Sequence, residues 1–364
     1  MRSACDQLVD AYQTIIRASD SMRSARTDGK VTKRFAKRVY ERCNAHMRHD
    51  DTIHTFDAVL PHGITLACRI NTPVDASGAI MGFAAALPRV VLLHGFPEGA
   101  FAWDAILQGL AGKAVAIAPD LRGFGRSSSP TEVEAYRASV LVEDIAALIG
   151  RYAPAPGAPI DLLVGHDWGG AVAWNLAMTQ PELCKRLMII NSPHPATFLR
   201  ELRNNPAQQE ASAYMEFLCR PDAAALLAAD GFARMWPFFE KMGGDARWLT
   251  PAMRERYRAH WALGLEGGLN YYRASPMRPG VGDISLPDER VTVRVPTTVM
   301  WGDGDTALLP GLLDGLARWV PYLYMLRVAD ATHWIVHEHP ALVTGTILRT
   351  ATRKRSIDAM PRSV

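Results

Sequence analysis

Asp167 stands in Gly165-His166-Asp167-Trp168-Gly169-Gly170, between the apolar run Leu162-Leu163-Val164 and the helix-forming stretch Ala171 to Met178. That order reads as strand, tight turn and helix, and glycines two residues to either side let the central side chain stand clear of the backbone. The side chain at the apex is a carboxylate. A serine there would attack a carbonyl and leave an acyl ester, whereas a carboxylate suits an sp3 carbon carrying a leaving group. Attack would leave an alkyl ester on Asp167. Taken alone, the pattern equally describes a glycine turn whose Asp caps the next helix.

An alkyl ester is a stable bond, so turnover requires water activated by a base, and a neutral imidazole held by a carboxylate is that base near pH 7. His333 follows Asp330-Ala331-Thr332 beyond the last strand-like run, and Asp305 follows Trp301-Gly302-Asp303-Gly304 beyond the one before. His337, His339 and Asp303 lie close by; position after the final strand selects His333, and placement within the turn selects Asp305 over Asp303. The oxyanion of ester hydrolysis needs two backbone N–H groups. Trp168, next to the nucleophile, offers one, and Phe96 in His94-Gly95-Phe96-Pro97-Glu98 offers the other. The plainer reading of His94-Gly95 is a strand-ending turn.

These residues need a scaffold. Ile53 to Val59 and Ile64 to Ile70, joined around Pro61-His62-Gly63, predict a β-hairpin. Asn71 to Leu87 reads as a loop. From Arg89 onward, fully apolar runs (Val90 to Leu93, Ala114 to Ala118, Ile160 to Val164, Leu187 to Ile190) alternate with helical stretches, Phe101 to Leu110 and Ser139 to Gly150 among them. Such runs suit a parallel sheet covered on both faces. The rhythm stops at Asn191-Ser192-Pro193-His194-Pro195 and resumes with Thr297 to Trp301, a helix near Leu312 to Trp319, the strand Tyr322 to Val328 and a helix from Ala341. Between them, 196–284 predicts an inserted helical cap. Nucleophile, acid and histidine in this order, each beyond a strand, match the expectation for an α/β-hydrolase fold: a mostly parallel sheet flanked by helices. The core then comprises 50–195 and 285–364, preceded by a basic helical extension over 1–49.

On His94 to Glu98, Asp120-Leu121-Arg122-Gly123-Phe124-Gly125-Arg126-Ser127-Ser128, Gly165 to Gly170 and Asn191 to Pro195, the chain resembles the α/β-hydrolase-fold epoxide hydrolases over roughly 50–350. The haloalkane and fluoroacetate dehalogenases, sister families, share the Asp nucleophile with a His/Asp pair. The resemblance implies an epoxide hydrolase that forms a vicinal diol. An epoxide opens to an alkoxide, which needs a proton donor, whereas a halide leaves unprotonated. The lid motif Asn270-Tyr271-Tyr272-Arg273 implies that Tyr272 binds the epoxide oxygen, and Gln209 to Tyr214 implies the same of Tyr214. Phe96 stands where haloalkane dehalogenases often carry Asn, and Trp168 where fluoroacetate dehalogenases usually carry Arg. A dehalogenase using the same nucleophile, or a ligand-binding protein that keeps the fold without turnover, are the alternatives.

Hydrophobic content of 48% fits a globular protein. Residues 1–50 hold eleven Lys/Arg and six Asp/Glu, a net +5, so of the overall +3 the remaining chain carries −2. Near neutrality there gives no reason to expect a nucleic-acid partner. Two amphipathic helices are expected in 1–50, read as an accessory segment with a solvated basic face in preference to a membrane-surface helix. Five scattered cysteines without a C-x-x-C pair point to reduced thiols in the cytoplasm and give no metal site. No apolar run has the length of a membrane span and no signal-peptide core opens the chain, so a soluble protein is expected. No cofactor is called for. The expected partners are water and a small apolar organic substrate, and homodimerisation is left open. Trp236, Phe238, Phe239, Met242 and Trp261 read either as the walls of an apolar pocket or as lid core. The basic tail from Arg353 reads as frayed.

Overall fold

The structure, a computed structural model, describes residues 53–75, 80, 84, 86–242 and 246–353. The helices expected in 1–50, much of the Asn71 to Leu87 loop and the tail beyond Arg353 lie outside the described residues.

Among the described residues, eight strands form one sheet in the order β1-β2-β4-β3-β5-β6-β7-β8. β1 (His54–Val59) and β2 (Thr65–Ile70) make the hairpin, and β2 runs antiparallel to β4 (Val115–Pro119). β3 (Arg89–Leu93), β4, β5 (Leu162–His166), β6 (Leu187–Ile190), β7 (Thr297–Gly302) and β8 (Leu323–Val328) are mutually parallel. Side chains alternate along a strand, so a wholly apolar run supplies a core on each face. Val90, Leu92, Val164 and Ile190 join one cluster with Ile106 and Leu107 of α1 (Asp104–Leu110) and Val343 and Ile347 of α13 (Pro340–Thr352). Val91, Leu93, Leu163 and Ile189 join the other with Ile145 and Leu148 of α2 (Ala138–Tyr152) and Val172 and Leu176 of α3 (Trp168–Thr179). Each fully buried aliphatic side chain contributes roughly 1.5–3 kcal/mol.

The chain passes from β3 outward to β4, then crosses to β5 on the other side of β3. At such a reversal the loops after the two central strands diverge and leave a crevice at their carboxyl ends. His94 to Glu98 follow β3 and Asp167 follows β5, so both loops open into that crevice.

The insert follows β6 and carries seven short helices, α4 (Pro195–Asn204), α5 (Pro206–Ala211), α6 (Tyr214–Leu218), α7 (Ala223–Phe232), α8 (Trp236–Met242), α9 (Pro251–Trp261) and α10 (Glu266–Ala274). Pro195 occupies the first helical position of α4, where no N–H is missed. The buried His194 imidazole accepts from the Ala196 N–H and donates to the Val291 carbonyl, and burial lowers its pKa to about 4, which keeps it neutral for both bonds. Tyr271 donates to the Arg122 carbonyl at 2.9 Å and the Trp261 indole to the Pro97 carbonyl at 2.7 Å, joining cap to core.

Two sequence expectations change. The helix expected near Leu312 to Trp319 is a pair of 3-10 turns, Pro310–Leu313 and Leu316–Arg318, interrupted where Gly315 takes a φ of +68°. The last part of the cap, 275–284, holds no helix, in keeping with Pro276, Pro279, Gly280 and Gly282. After it α11 (Asp288–Val291) leads into β7, and α12 (Ile335–Glu338) precedes α13. Among the described residues no helix is long and apolar enough to cross a membrane.

Candidate active site

The turn after β5 puts Asp167 at φ +50°, a conformation that costs a non-glycine residue about 1–3 kcal/mol and persists where the surroundings impose it. The surroundings here are close backbones. A Cβ on Gly165 would strike the Gly169 carbonyl, and one on Gly169 would strike the Leu93 carbonyl. Ser192 Oγ adds a hydrogen bond to the Asp167 carbonyl at 2.7 Å. The Asp167 carboxylate does not turn back to cap α3, which removes the helix-cap reading.

Its Oδ1 accepts the Phe96 N–H at 2.8 Å, and the Trp168 N–H also points to the carboxylate. Gly95 makes this approach feasible, because a side chain there would overlap the Asp167 carboxylate. His94 fixes the loop: its Nε2 accepts from the Leu121 N–H at 3.0 Å and its Nδ1 donates to the Gly95 carbonyl at 2.9 Å. Burial lowers the His94 pKa to about 4, so the imidazole stays neutral and can do both. More than a strand-ending turn, His94 is a tie between two loops.

Asp167 Oδ2 lies 3.8 Å from His333 Nε2, and His333 Nδ1 lies 2.7 Å from Asp305 Oδ2. The three side chains that the sequence singles out are brought together. Asp303 instead meets Arg327, His337 meets Glu98, and His339 bonds the Asp330 carbonyl. Asp305 is held on every side: Oδ1 accepts the N–H groups of Ala307 and Leu308, both at 2.9 Å, and Oδ2 accepts Asn191 Nδ2 at 2.8 Å. Burial alone would lower the His333 pKa, but the charge and hydrogen bond of Asp305, with Asp167 and Glu98 farther off, raise it to about 9. Burial raises the Asp167 carboxyl above its ordinary value, opposed by His333, His166 and the two N–H groups.

Across the cavity stand Tyr214, at the start of α6, and Tyr272, within α10. Their rings meet edge to face at 6.3 Å, and the Trp168 ring meets Tyr272 at 5.0 Å. Burial, and the nearby Asp167 charge, push both phenols above the ordinary tyrosine value, so both remain neutral donors. Together with Asp167 and Trp168 they line a cavity of about 600 Å³ whose other walls include Val172, Met215 and Leu286. Trp236, Phe238, Phe239, Met242 and Trp261 do not line it; they pack within the cap, with Phe238 against Phe96 and Phe239 against Trp334 of the core.

Several residues around the site escape sequence reasoning. Asn191, at φ +38°, grips Asp305 and also accepts the Gly302 N–H at 2.9 Å. His166 donates from Nε2 to the His333 carbonyl at 2.8 Å. Glu98, buried, takes His337 at 2.6 Å and Tyr257 at 2.5 Å on Oε1, with His166 Nδ1 3.5 Å from Oε2. Burial would raise its pKa, but His337 and His166 outweigh that and hold it well below the usual carboxylate range. The one available signal is polarity out of place: Asn191 ends an apolar strand, and His166 interrupts another before Asp167.

Residues 88–340 match the family described as the alpha/beta hydrolase fold, and the chain belongs to that family. It is 34% identical over 284 residues to the AB hydrolase superfamily protein YfhM of Bacillus subtilis, covering 76% of this chain and 95% of that protein. Within the fold, its similarity runs to epoxide hydrolases. Epoxide hydrolase 4 of Mus musculus is 29% identical over 278 residues, covering 73% of this chain and 74% of that protein. Among solved structures, an epoxide hydrolase of Bacillus megaterium in complex with an inhibitor superposes with a TM-score of 0.70 at 28% identity, covering 82% of this chain and 100% of that one. One of the epoxide hydrolases from metagenomes of hot environments gives 0.70 at 31%, covering 83% and 99%.

Proposed function

We propose that this hydrolase converts an epoxide and water to a vicinal diol through an alkyl ester on Asp167. The observation that carries the reading is the facing pair: a carboxylate tied to two N–H groups and set beside an imidazole, with two neutral phenols opposite it in one cavity.

Oδ2, free of the Phe96 N–H, attacks a ring carbon while the C–O bond breaks. The leaving oxygen takes a proton from Tyr272 or Tyr214, so no free alkoxide accumulates. The His333 imidazolium gives its proton to the phenolate, and the neutral imidazole then takes a proton from water, whose oxygen adds to the ester carbon. Asp305 stabilises the imidazolium. The Phe96 and Trp168 N–H groups receive the oxyanion, and its collapse breaks the ester to the diol and Asp167. His333 ends protonated as it began, and the balance is epoxide plus water to diol.

A halide needs N–H donors instead of acids, yet the Trp168 indole is turned to Tyr272. Arg122, which a haloacid carboxylate could have used, is committed to Asp144 through two bonds of 2.7 and 2.6 Å. A Bacillus megaterium epoxide hydrolase, as a point mutant, was solved with its product, a naphthyloxy-propane-1,2-diol, which is a vicinal diol of the kind proposed here.

Styrene oxide offered to the full chain is expected to yield phenylethanediol. The His333→Gln variant is expected to hold one substrate mass, seen by intact-protein mass spectrometry. Halide release from haloalkanes without diol from any epoxide refutes the reading.

A further inference from the structure

The cavity extends from Asp167 to the protein surface. Its lining includes Trp168, Val172, Leu141, Met215, Met277 and Leu286, and reaches Arg137 and Ser139. Arg137, Ala138, Ser139 and Pro276 are exposed, so the mouth lies between the start of α2 and the segment after α10.

The two phenols also pack against rings outside the cavity lining. Phe96 stands edge-on to Tyr272 at 5.4 Å and to Phe238 at 5.8 Å, and Phe238 stands edge-on to Tyr214 at 5.9 Å. Behind them Phe239 packs on Trp334, next to His333, at 4.6 Å. None of Phe96, Phe238, Phe239 and Trp334 lines the cavity.

We propose that the substrates are terminal epoxides: oxiranes with one unsubstituted ring carbon and a single large apolar arm on the other. Phe96 and Phe238 are the residues that exclude a second arm. The proposal rests on the epoxide hydrolase reading. The ring oxygen must reach the phenols while a ring carbon lies before Asp167 Oδ2, and this places the oxirane beside the phenols, against which Phe96 and Phe238 pack. One substituent then runs toward the mouth, through a volume in the range that takes a drug-sized ligand. A large group on the opposite carbon meets Phe96 and Phe238. Packed aromatic walls give way little, and a pocket distinguishes substrates by such overlap. Val172, Leu141, Met215 and Leu286 make the open arm suited to alkyl or aryl groups.

Two isomers of equal hydrophobicity test this. With the full chain, kcat/KM for 1,2-epoxyoctane is expected to exceed that for trans-4,5-epoxyoctane by about 100-fold, followed as diol by chromatography. Phe238→Ala is expected to cut that ratio at least about tenfold by opening room for the second arm. Phe238→Leu, closer in volume and safer for folding, is expected to cut it by less. The response at residue 238 separates the wall from the intrinsic reactivity of the two rings. Similar kcat/KM for both isomers, or a ratio indifferent to both Phe238 variants, overturns the proposal and leaves the epoxide hydrolase reading intact. Diol from no epoxide at all, styrene oxide included, overturns that reading and this inference with it.

Discussion

The floor of the cavity, supplied by the sheet loops, and its roof, supplied by the cap, are held by different forces. On the floor, Asp305 accepts from Asn191, Ala307 and Leu308 and meets His333, while Asp167 accepts the Phe96 N–H. On the roof, Tyr214 and Tyr272 are positioned by ring contacts with Trp168, Phe96 and Phe238, to which the Trp168 indole and the phenols themselves add hydrogen bonding. Directional bonds fix atoms, and ring contacts fix shapes. A change of chemistry at constant shape should therefore disable the floor and only slow the roof.

The sharpest contrast comes from the nucleophile. Asp167→Ala is expected to lower kcat on the order of 10⁴-fold or more, with no covalent adduct by mass; substantial residual turnover would mean that the floor does not carry the chemistry. On the roof, Tyr272→Phe keeps the ring and removes the donor, and ester formation measured by rapid quench should slow about 10²-fold. Ester breakdown should barely change, so equal slowing of both steps would erase the distinction. Asn191→Ala touches neither substrate nor nucleophile; loss of a bond to a charged acceptor, about 1.5–3 kcal/mol, should reduce ester breakdown by roughly tenfold or more. Unchanged breakdown would make Asn191 a packing residue.

The smallest effect is on stability. The His333 pKa is raised from 6.5 to about 9 in the folded protein, so its pairing stabilises the fold in full below about 6.5 and ceases to do so as pH climbs through about 9. The Tm advantage of the wild type over His333→Gln should shrink between pH 6 and pH 9.5. A constant difference would show that the imidazolium pair does not support the floor.

Much of this is legible in the chain because it is local. The apolar runs of β3 to β7 alternate with helices, and the Asp167 turn announces itself by its glycines. Residues that follow a strand, Asp305 and His333, can be placed by order alone. What the chain hides is contact across long separations. Asn191 meets Asp305 across 114 positions, His166 meets His333 across 167, and His337 meets Glu98 across 239. No spacing rule reaches so far. Apolar aromatics also hide their duty: Phe238 reads the same whether it lines a cavity or fills a cap, and only packing decides. The segment near Leu312 misleads for a local reason, since Pro310, Gly311 and Gly315 outweigh its helical apolar spacing.

The 3.8 Å between Asp167 and His333 also sets an order of events. Asp305, Asp167 and Glu98 favour the protonated imidazole, and in the proposed reaction a protonated His333 has no lone pair to spend on water. An Asp167 esterified as proposed would bear no charge, one of those three anions would be gone, and the proton would pass more readily to the phenolate. The two half-reactions are thereby interlocked: forming the bond is what arms the group that later cuts it.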